Sequence, residues 1–267
     1  MTSNKIVKLK AYLSQYDCAI ITGASSGIGA AFLRVLKELA DFPVCDVSRT
    51  GNPEADTWIS ADLADSESFA NTLGKLKNFV GKLSENKSPK ILIINNAGFG
   101  GYGYFPMPDL SHNLRMIDLN VRALVGICGE FMPMLCKGRG AIINIASTAA
   151  FQPCPKLSVY AATKAFVYSF TRSLSYEMRG SGASCLCVCP GPTSSNFFKA
   201  AGFDSPPLPS GFGHTAKEVA EASLWALCKG KSLKVIGIAN TLQSCLVRFI
   251  PQGVLLRLSG MILDKIR

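Results

Sequence analysis

Six short apolar runs, each bounded by turn residues and separated by stretches long enough for a helix, restrict the possible folds of this chain most. They are CAIIT at 18–22, FPVCDVS at 42–48, TWISA at 57–61, ILIIN at 91–95, AIINIAS at 141–147 and ASCLCVC at 183–189. Runs that stay apolar at consecutive positions read as strands buried on both faces, the condition of a parallel sheet covered by helices. Helical candidates between them include 27–40, 65–80, 117–136 and 156–179. The alternation predicts an α/β fold, a doubly wound parallel sheet with helices on both faces. Such sheets bind ligands beyond the carboxyl ends of their strands, near the point where strand order reverses. No linker, repeat or low-complexity stretch divides the 267 residues, and an apolar share of 48% fills one substantial core, so a single domain over 1–267 is expected.

A net charge of +10 invites a nucleic-acid reading. The charge is concentrated instead in the tail, where Lys229, Lys231, Lys234, Arg248, Arg257, Lys265 and Arg267 face Asp264 alone, and no nucleic-acid partner is expected. The first residues, MTSNKIVKLKAYLSQYD, carry three lysines and no apolar run, so the ten cysteines are expected as reduced thiols in the cytoplasm. Cys185, Cys187 and Cys189 are read as facing opposite sides of a strand. His112 and His214, in no zinc spacing, are read as surface or loop residues. No metal site is expected.

Two patterns carry chemistry. TGASSGIGAAF follows the first run and sets Gly23, Gly27 and Gly29 between a strand and a helix, with Ser25, Ser26 and Ile28 among them. Glycines allow a tight turn and close backbone approach to a pyrophosphate, whose charge is favoured at a helix N-terminus. In SVYAATKAFVYSF, Tyr160 and Lys164 stand four apart and share one helix face. A cation beside a phenol lowers its pKa from ~10, so the pair reads either as an acid/base device or as an ordinary solvated helix surface.

TGASSGIG, NNAG at 95–98, INIAS at 143–147, YAATK at 160–164 and PGPT at 190–193 occur in that order, and the chain closely resembles the classical short-chain dehydrogenase/reductase family over about residues 18–238. The resemblance implies a single Rossmann-type domain, with residues 239–267 a basic, leucine-rich extension, and hydride transfer between a nicotinamide and a carbonyl or alcohol. By the same resemblance Tyr160 is the catalytic acid/base, Lys164 assists it and binds the nicotinamide ribose, Ser147 hydrogen-bonds the substrate oxygen, and Asn120 holds a water near the lysine. Asp62 and Leu63 match the adenine-side segment, Asn96, Ala97 and Gly98 the turn beside adenosine, and Pro190, Gly191 and Thr193 the segment covering the nicotinamide. An amide satisfied inside a helix is the other reading of Asn120. Physical chemistry agrees about Tyr160, because hydride arriving at a carbonyl carbon builds negative charge on oxygen that a phenol can quench.

The cofactor reading rests on DVSRTG. Ser48 falls nineteen residues after Gly29, where NAD-preferring relatives carry an acid, and Arg49 can grip a 2′-phosphate. NADP(H) is therefore expected, with NAD(H) the alternative if the strand ended two residues earlier and Asp46 took that position. Phe197, Phe198 and Phe203 in the loop 194–213, with Phe99, Tyr102, Phe105 and Phe151 on facing loops, read either as a lid and an apolar pocket or as loop residues anchored on the core. An acyl, steroid-like or aromatic carbonyl would suit it, as for hydroxysteroid dehydrogenase or 3-oxoacyl reductase relatives. The rival readings are NAD-dependent alcohol oxidation and a cofactor-binding regulator with little turnover. In the tail, Leu255, Leu258 and Ile262 follow helical spacing, and Arg248, Pro251 and Arg257 interrupt any membrane span. A homodimer is expected, with the tail used for dimerisation, for peripheral contact with an acidic membrane, or packed on its own domain.

Overall fold

The computed structural model describes residues 1–83, 88–194, 197–203 and 213–264. Parallel strands β1 (Cys18–Thr22), β2 (Val44–Ser48), β3 (Thr57–Ser60), β4 (Ile91–Asn95), β5 (Ala141–Ile145) and β6 (Ser184–Cys189) are joined by a later strand, Leu233–Val235, into one sheet of seven. Two short strands, β7 (Thr193–Ser194) and β8 (His214–Thr215), pair apart from it, which makes the late strand β9. The order is β3-β2-β1-β4-β5-β6-β9, so the chain reverses direction across the sheet between β1 and β4. Register there sets Thr22 beside Asn95, and Asn95 beside Asn144 on β5.

Eight of the helices are α1 (Ser3–Leu13), α2 (Gly27–Leu39), α3 (Ser66–Gly81), α4 (Leu110–Ile117), α5 (Leu124–Gly138), α6 (Ser158–Glu177), the short α7 (Phe197–Ala200) and α8 (Ala216–Cys228). A π-helical turn, Asp118–Ala123, joins α4 to α5 without a break. On one face of the sheet, Phe69, Leu76 and Val80 of α3 pack with Phe131 and Leu135 of α5 and Val167 and Leu174 of α6. On the other, Leu9 and Leu13 of α1 meet Phe32, Leu33 and Leu36 of α2 and Leu224 and Leu227 of α8. This is the expected single α/β domain, with helices on both faces.

Some expectations need correction. TWISA is not buried on both sides: β3 is an edge strand in which Ile59 alone is buried, while Trp58 lies half exposed and donates its indole N–H to the Ser48 carbonyl at 3.0 Å. The helix expected from 117 begins at Leu110, where the Asp109 carboxylate accepts from the His112 amide at 2.7 Å and caps it. Cys185, Cys187 and Cys189 all lie on one face, because residues two apart in a strand point the same way. The Cys187 and Cys189 sulfurs are 3.9 Å apart.

Two final helices, α9 (Ile238–Leu246) and α10 (Gln252–Asp264), make up most of the extension. They pack on their own domain. Ser259 donates to the Pro153 carbonyl at 3.1 Å, Arg248 to the Tyr168 hydroxyl at 2.9 Å, and Lys156 pairs with Asp264 at 2.5 Å. Of the three leucine and isoleucine positions expected to form one face, Leu255 is buried against the domain while Leu258 and Ile262 are exposed. Lys265 and Arg267 lie outside the described residues.

Candidate active site

The carboxyl ends of β1, β4, β5 and β6 converge on one rim. The Thr22 hydroxyl at the end of β1 accepts from the amides of Asn96 and Ala97, each at 3.0 Å, and the Asn96 side chain donates back to the carbonyls of Thr22 (3.0 Å) and Gly23 (3.1 Å). These bonds lock the NNAG turn onto the glycine turn. Gly23 has φ of 71°, a left-handed conformation costly for other residues, and a Cβ on Gly29 would lie 2.1 Å from the Gly23 carbonyl oxygen. Only glycine allows that helix start to sit so close.

The same turn suits a dinucleotide phosphate. Exposed Ser26 is the N-cap of α2 but makes no side-chain cap bond, which leaves the first amides of a thirteen-residue helix available to an anion. Ser25 and Ile28 are half-buried beside it.

The structure separates the two candidates at the end of β2. Asp46 is fully buried, and its carboxylate accepts from the Ala24 amide at 3.0 Å and the Ser48 hydroxyl at 2.8 Å. Burial pushes its pKa up, against these bonds and one from the Asn52 backbone. Asp46 thus braces the glycine turn from beneath, while Ser48, which also accepts from the Gly51 amide at 3.1 Å, ends the strand and Arg49 is exposed beyond it. Asp62 is bonded by Arg115 at 2.6 Å and accepts from the Ala64 amide at 3.0 Å. Burial works upward on Asp62, but these bonds and the charges of Arg115 and Arg49 hold its carboxyl below the usual range. The Leu63 side chain is core, so only its backbone can face a cofactor.

Tyr160 and Lys164 are both buried on α6. The side chain of Ser147 acts on the Tyr160 hydroxyl against the effect of burial, and its oxygen accepts from the Ala149 amide at 3.1 Å and starts a 3₁₀ turn, Thr148–Phe151. Lys164 reaches past the phenol and donates to the Ile145 carbonyl at 2.8 Å, with its nitrogen 5.9 Å from the Tyr160 ring centre. Burial pushes Tyr160 up to about 12, with the Ser147 side chain opposing, and Lys164 down to about 8, with Cys187 and Cys189 opposing. The expectation that Lys164 depresses the phenol is not met here. Desolvation dominates, and the lysine's charge is directed at the end of β5.

Asn120 sits in the π-helical turn, a geometry that recurs at functional sites. Its amide is spent within the protein, accepting from the Phe99 amide at 3.2 Å and donating to the Phe99 carbonyl at 3.0 Å and Thr163 at 3.1 Å. It clamps the loop after Gly98 rather than presenting a free group beside Lys164, so the satisfied-amide reading applies to the side chain. A Cβ on Gly98 would lie 3.4 Å from the lysine nitrogen and 2.9 Å from the Asn120 amide oxygen, so a side chain there would crowd both. Pro190 and Thr193 are buried in the turn after β6, where Thr193 donates to the Gly191 carbonyl at 3.0 Å.

Of the expected substrate-side aromatics, Phe197 covers Tyr160 at a ring separation of 5.3 Å, with room made by Gly100, where a Cβ would meet Phe197 at 2.9 Å. Phe151 packs instead on Tyr168, 5.0 Å away and about two helical turns along α6 from Tyr160, because its 3₁₀ turn lies over the body of that helix. Phe99 meets the edge of His112 at 4.9 Å, and a His112 ring nitrogen is 3.1 Å from the Gly100 carbonyl. His112, expected as a surface or loop residue, is a half-buried member of α4 that wedges behind this loop. Tyr102 was the least legible member. Its amide donates to Ala201 at 2.8 Å, its ring packs 4.3 Å from Phe203, and its hydroxyl donates to Leu263 at 2.8 Å, so lid and tail meet on one side chain. Residues 195–196 and 204–212 of the expected lid lie outside the described residues.

A family model described as short chain dehydrogenase matches residues 17–204. The ketoacyl reductase HetN of Nostoc sp. is 30% identical over 235 residues, covering 86% of this chain and 81% of that protein. The probable oxidoreductase EphD of Mycobacterium tuberculosis is 28% identical over 199 residues, or 70% of this chain, which spans 32% of EphD's length. A short-chain dehydrogenase from Sphingobium yanoikuyae, solved in complex with NADPH, superposes with a TM-score of 0.71 at 27% identity over 88% of this chain and 96% of that one.

Proposed function

The chain belongs to the short-chain dehydrogenase family, and from that premise we propose that it reduces an apolar ketone or aldehyde with NADP(H), Tyr160 giving the proton. It is an NAD(P)-dependent oxidoreductase. The observation that carries the proposal is the buried Tyr160 side chain, roofed by Phe197 and with its hydroxyl pushed up to about 12, so that it stands protonated at neutral pH, with Ser147 acting on it.

When bound, the nicotinamide supplies a hydride to the carbonyl carbon. Ser147 and Tyr160 would both donate to the carbonyl oxygen, and as charge grows there the Tyr160 proton passes to it and completes the alcohol. Lys164 holds a positive charge beneath the resulting phenolate, anchored by the Ile145 carbonyl. Phe197 excludes water from the reacting oxygen. Exposed Arg49, the Ser48 terminus of β2 and the retreat of Asp46 beneath the turn favour a 2′-phosphorylated cofactor, because no carboxylate faces that phosphate from β2. A homodimer is part of this reading, and Leu114 and Ile117 of α4 and Phe166 of α6 are large apolar side chains exposed for it to cover.

Tyr160→Phe keeps the ring and removes only the hydroxyl, so turnover should fall ~10²- to 10⁴-fold with cofactor affinity nearly unchanged. NADPH oxidation against ketones graded by size and polarity is the assay. Retention of more than about a tenth of the turnover, with chemistry rate-limiting, would show that another group gives the proton. A regulator would oxidise no NADPH with any of them.

A further inference from the structure

Helix α9 turns its apolar side outward. Ile238, Leu242, Leu246 and, in the 3₁₀ turn that follows, Phe249 succeed one another at steps of four, four and three, which keeps them within about 80° of arc. They are 83%, 60%, 61% and 84% exposed. The opposite stripe is the one that meets the domain: Ser244 and Val247 are buried, and Asn240 packs against Gly191. A helix that served only to close the domain would bury its large apolar residues and expose its polar ones. Here that polarity is reversed.

Charge along this part of the chain has one sign. Between residues 222 and 263 the chain contains no aspartate or glutamate, yet carries Lys229, Lys231, Lys234, Arg248 and Arg257. Arg248 and Arg257 are exposed, and the acid that follows, Asp264, is held by Lys156. On α10, Leu258, Met261 and Ile262 are exposed as well. An apolar stripe among uncompensated cations is complementary to a surface that is apolar beneath a layer of negative charge.

We propose that α9 and the turn after it dock the protein on an anionic lipid bilayer, with Ile238, Leu242, Leu246 and Phe249 entering the interface and Arg248 and Arg257 meeting the headgroups. A second copy of the chain is the weaker occupant, because a two-fold contact would set each patch's arginines against their own counterparts with no acid between them. The docked helix is also the one whose inner face touches the 190–193 turn. Bilayer contact would therefore lie one helix away from the proposed nicotinamide cover.

The test uses the full chain with vesicles of phosphatidylcholine alone or mixed with phosphatidylglycerol, read by co-sedimentation and by size-exclusion chromatography without lipid. The wild type should pellet with the anionic vesicles, less so as salt is raised, and little with the zwitterionic ones. Leu242→Ser with Phe249→Ser should lower the partition coefficient at least about tenfold, and Arg257→Glu should lower it by about five-fold, while both variants keep the wild-type circular dichroism and elution volume. Wild-type protein that stays in the supernatant, or a serine variant that pellets like the wild type, would overturn the proposal. So would a serine variant that elutes at half the wild-type mass, since the stripe would then be a contact between copies.

Discussion

Replacing Asp46 by alanine tests whether this carboxylate belongs to the protein's framework or to its ligand. The Ala24 amide and the Ser48 hydroxyl both donate to it inside the protein, at 3.0 and 2.8 Å. Stranding a buried donor costs ~1–3 kcal/mol, so losing the acceptor for both should destabilise the chain by ~2–6 kcal/mol. Asp46→Asn should cost less, within ~1.5 kcal/mol, because its oxygen can still accept from Ala24 and the Ser48 hydroxyl can turn to accept from the new amide. The pH dependence has a definite sign. Burial raises this carboxyl above its unfolded value, so on raising the pH the unfolded chain loses the proton first, and wild-type stability falls between the two pKa values. The asparagine variant lacks that fall, and its deficit relative to wild type should be greatest in acid and narrow towards neutrality. Urea unfolding of the three proteins, compared by midpoint at equal m-value, measures all of this. A loss below ~1 kcal/mol for Asp46→Ala, together with a collapse in NADH affinity, would refute the reasoning and make Asp46 a ribose ligand.

For reduction, kcat/KM should fall as pH rises through about 8, where Lys164 loses its charge, while Tyr160 stays protonated; Lys164→Arg should move that limb upward, and a profile flat across it would exclude Lys164 as the titrating group. Arg49→Ala should weaken NADP(H) binding by ~1.5–3 kcal/mol and leave NAD(H) nearly unchanged, and fluorescence titration showing equal losses would remove Arg49 from the phosphate. Tyr102→Phe keeps the ring against Phe203 but loses the bond to Leu263. Amide exchange across residues 252–264 should then quicken, and an unchanged rate would mean that the tail does not depend on this tyrosine.

Much of the architecture is written locally. A run such as ILIIN, apolar at successive positions, can satisfy itself only as a strand covered on both sides, and it became the fully buried β4. Gly23 and Gly29 announce a turn that no other residue could make, and that turn is where Thr22 and Asn96 tie two strand ends together. The succession of motifs was enough for the family and hence for a doubly wound parallel sheet.

What the sequence left open depended on neighbours distant along the chain. TWISA looks like its companions, but β3 is last in the sheet and has a partner on one side only, which leaves Trp58 outside. Spacing put Lys164 beside Tyr160, yet the ammonium is drawn to the end of β5, and burial rather than that charge sets the phenol. Asn120 is as legible as Tyr160 in the string, but its amide is consumed by Phe99, a loop residue brought close only by the fold. Helical spacing identifies an amphipathic tail without saying which side will be covered. The domain turned Leu255 inward and Ile238, Leu242, Leu246 and Phe249 outward, because the surface offered to α9 beside Gly191 is met by Asn240 and small residues, leaving the large apolar ones nowhere to go but solvent or another surface.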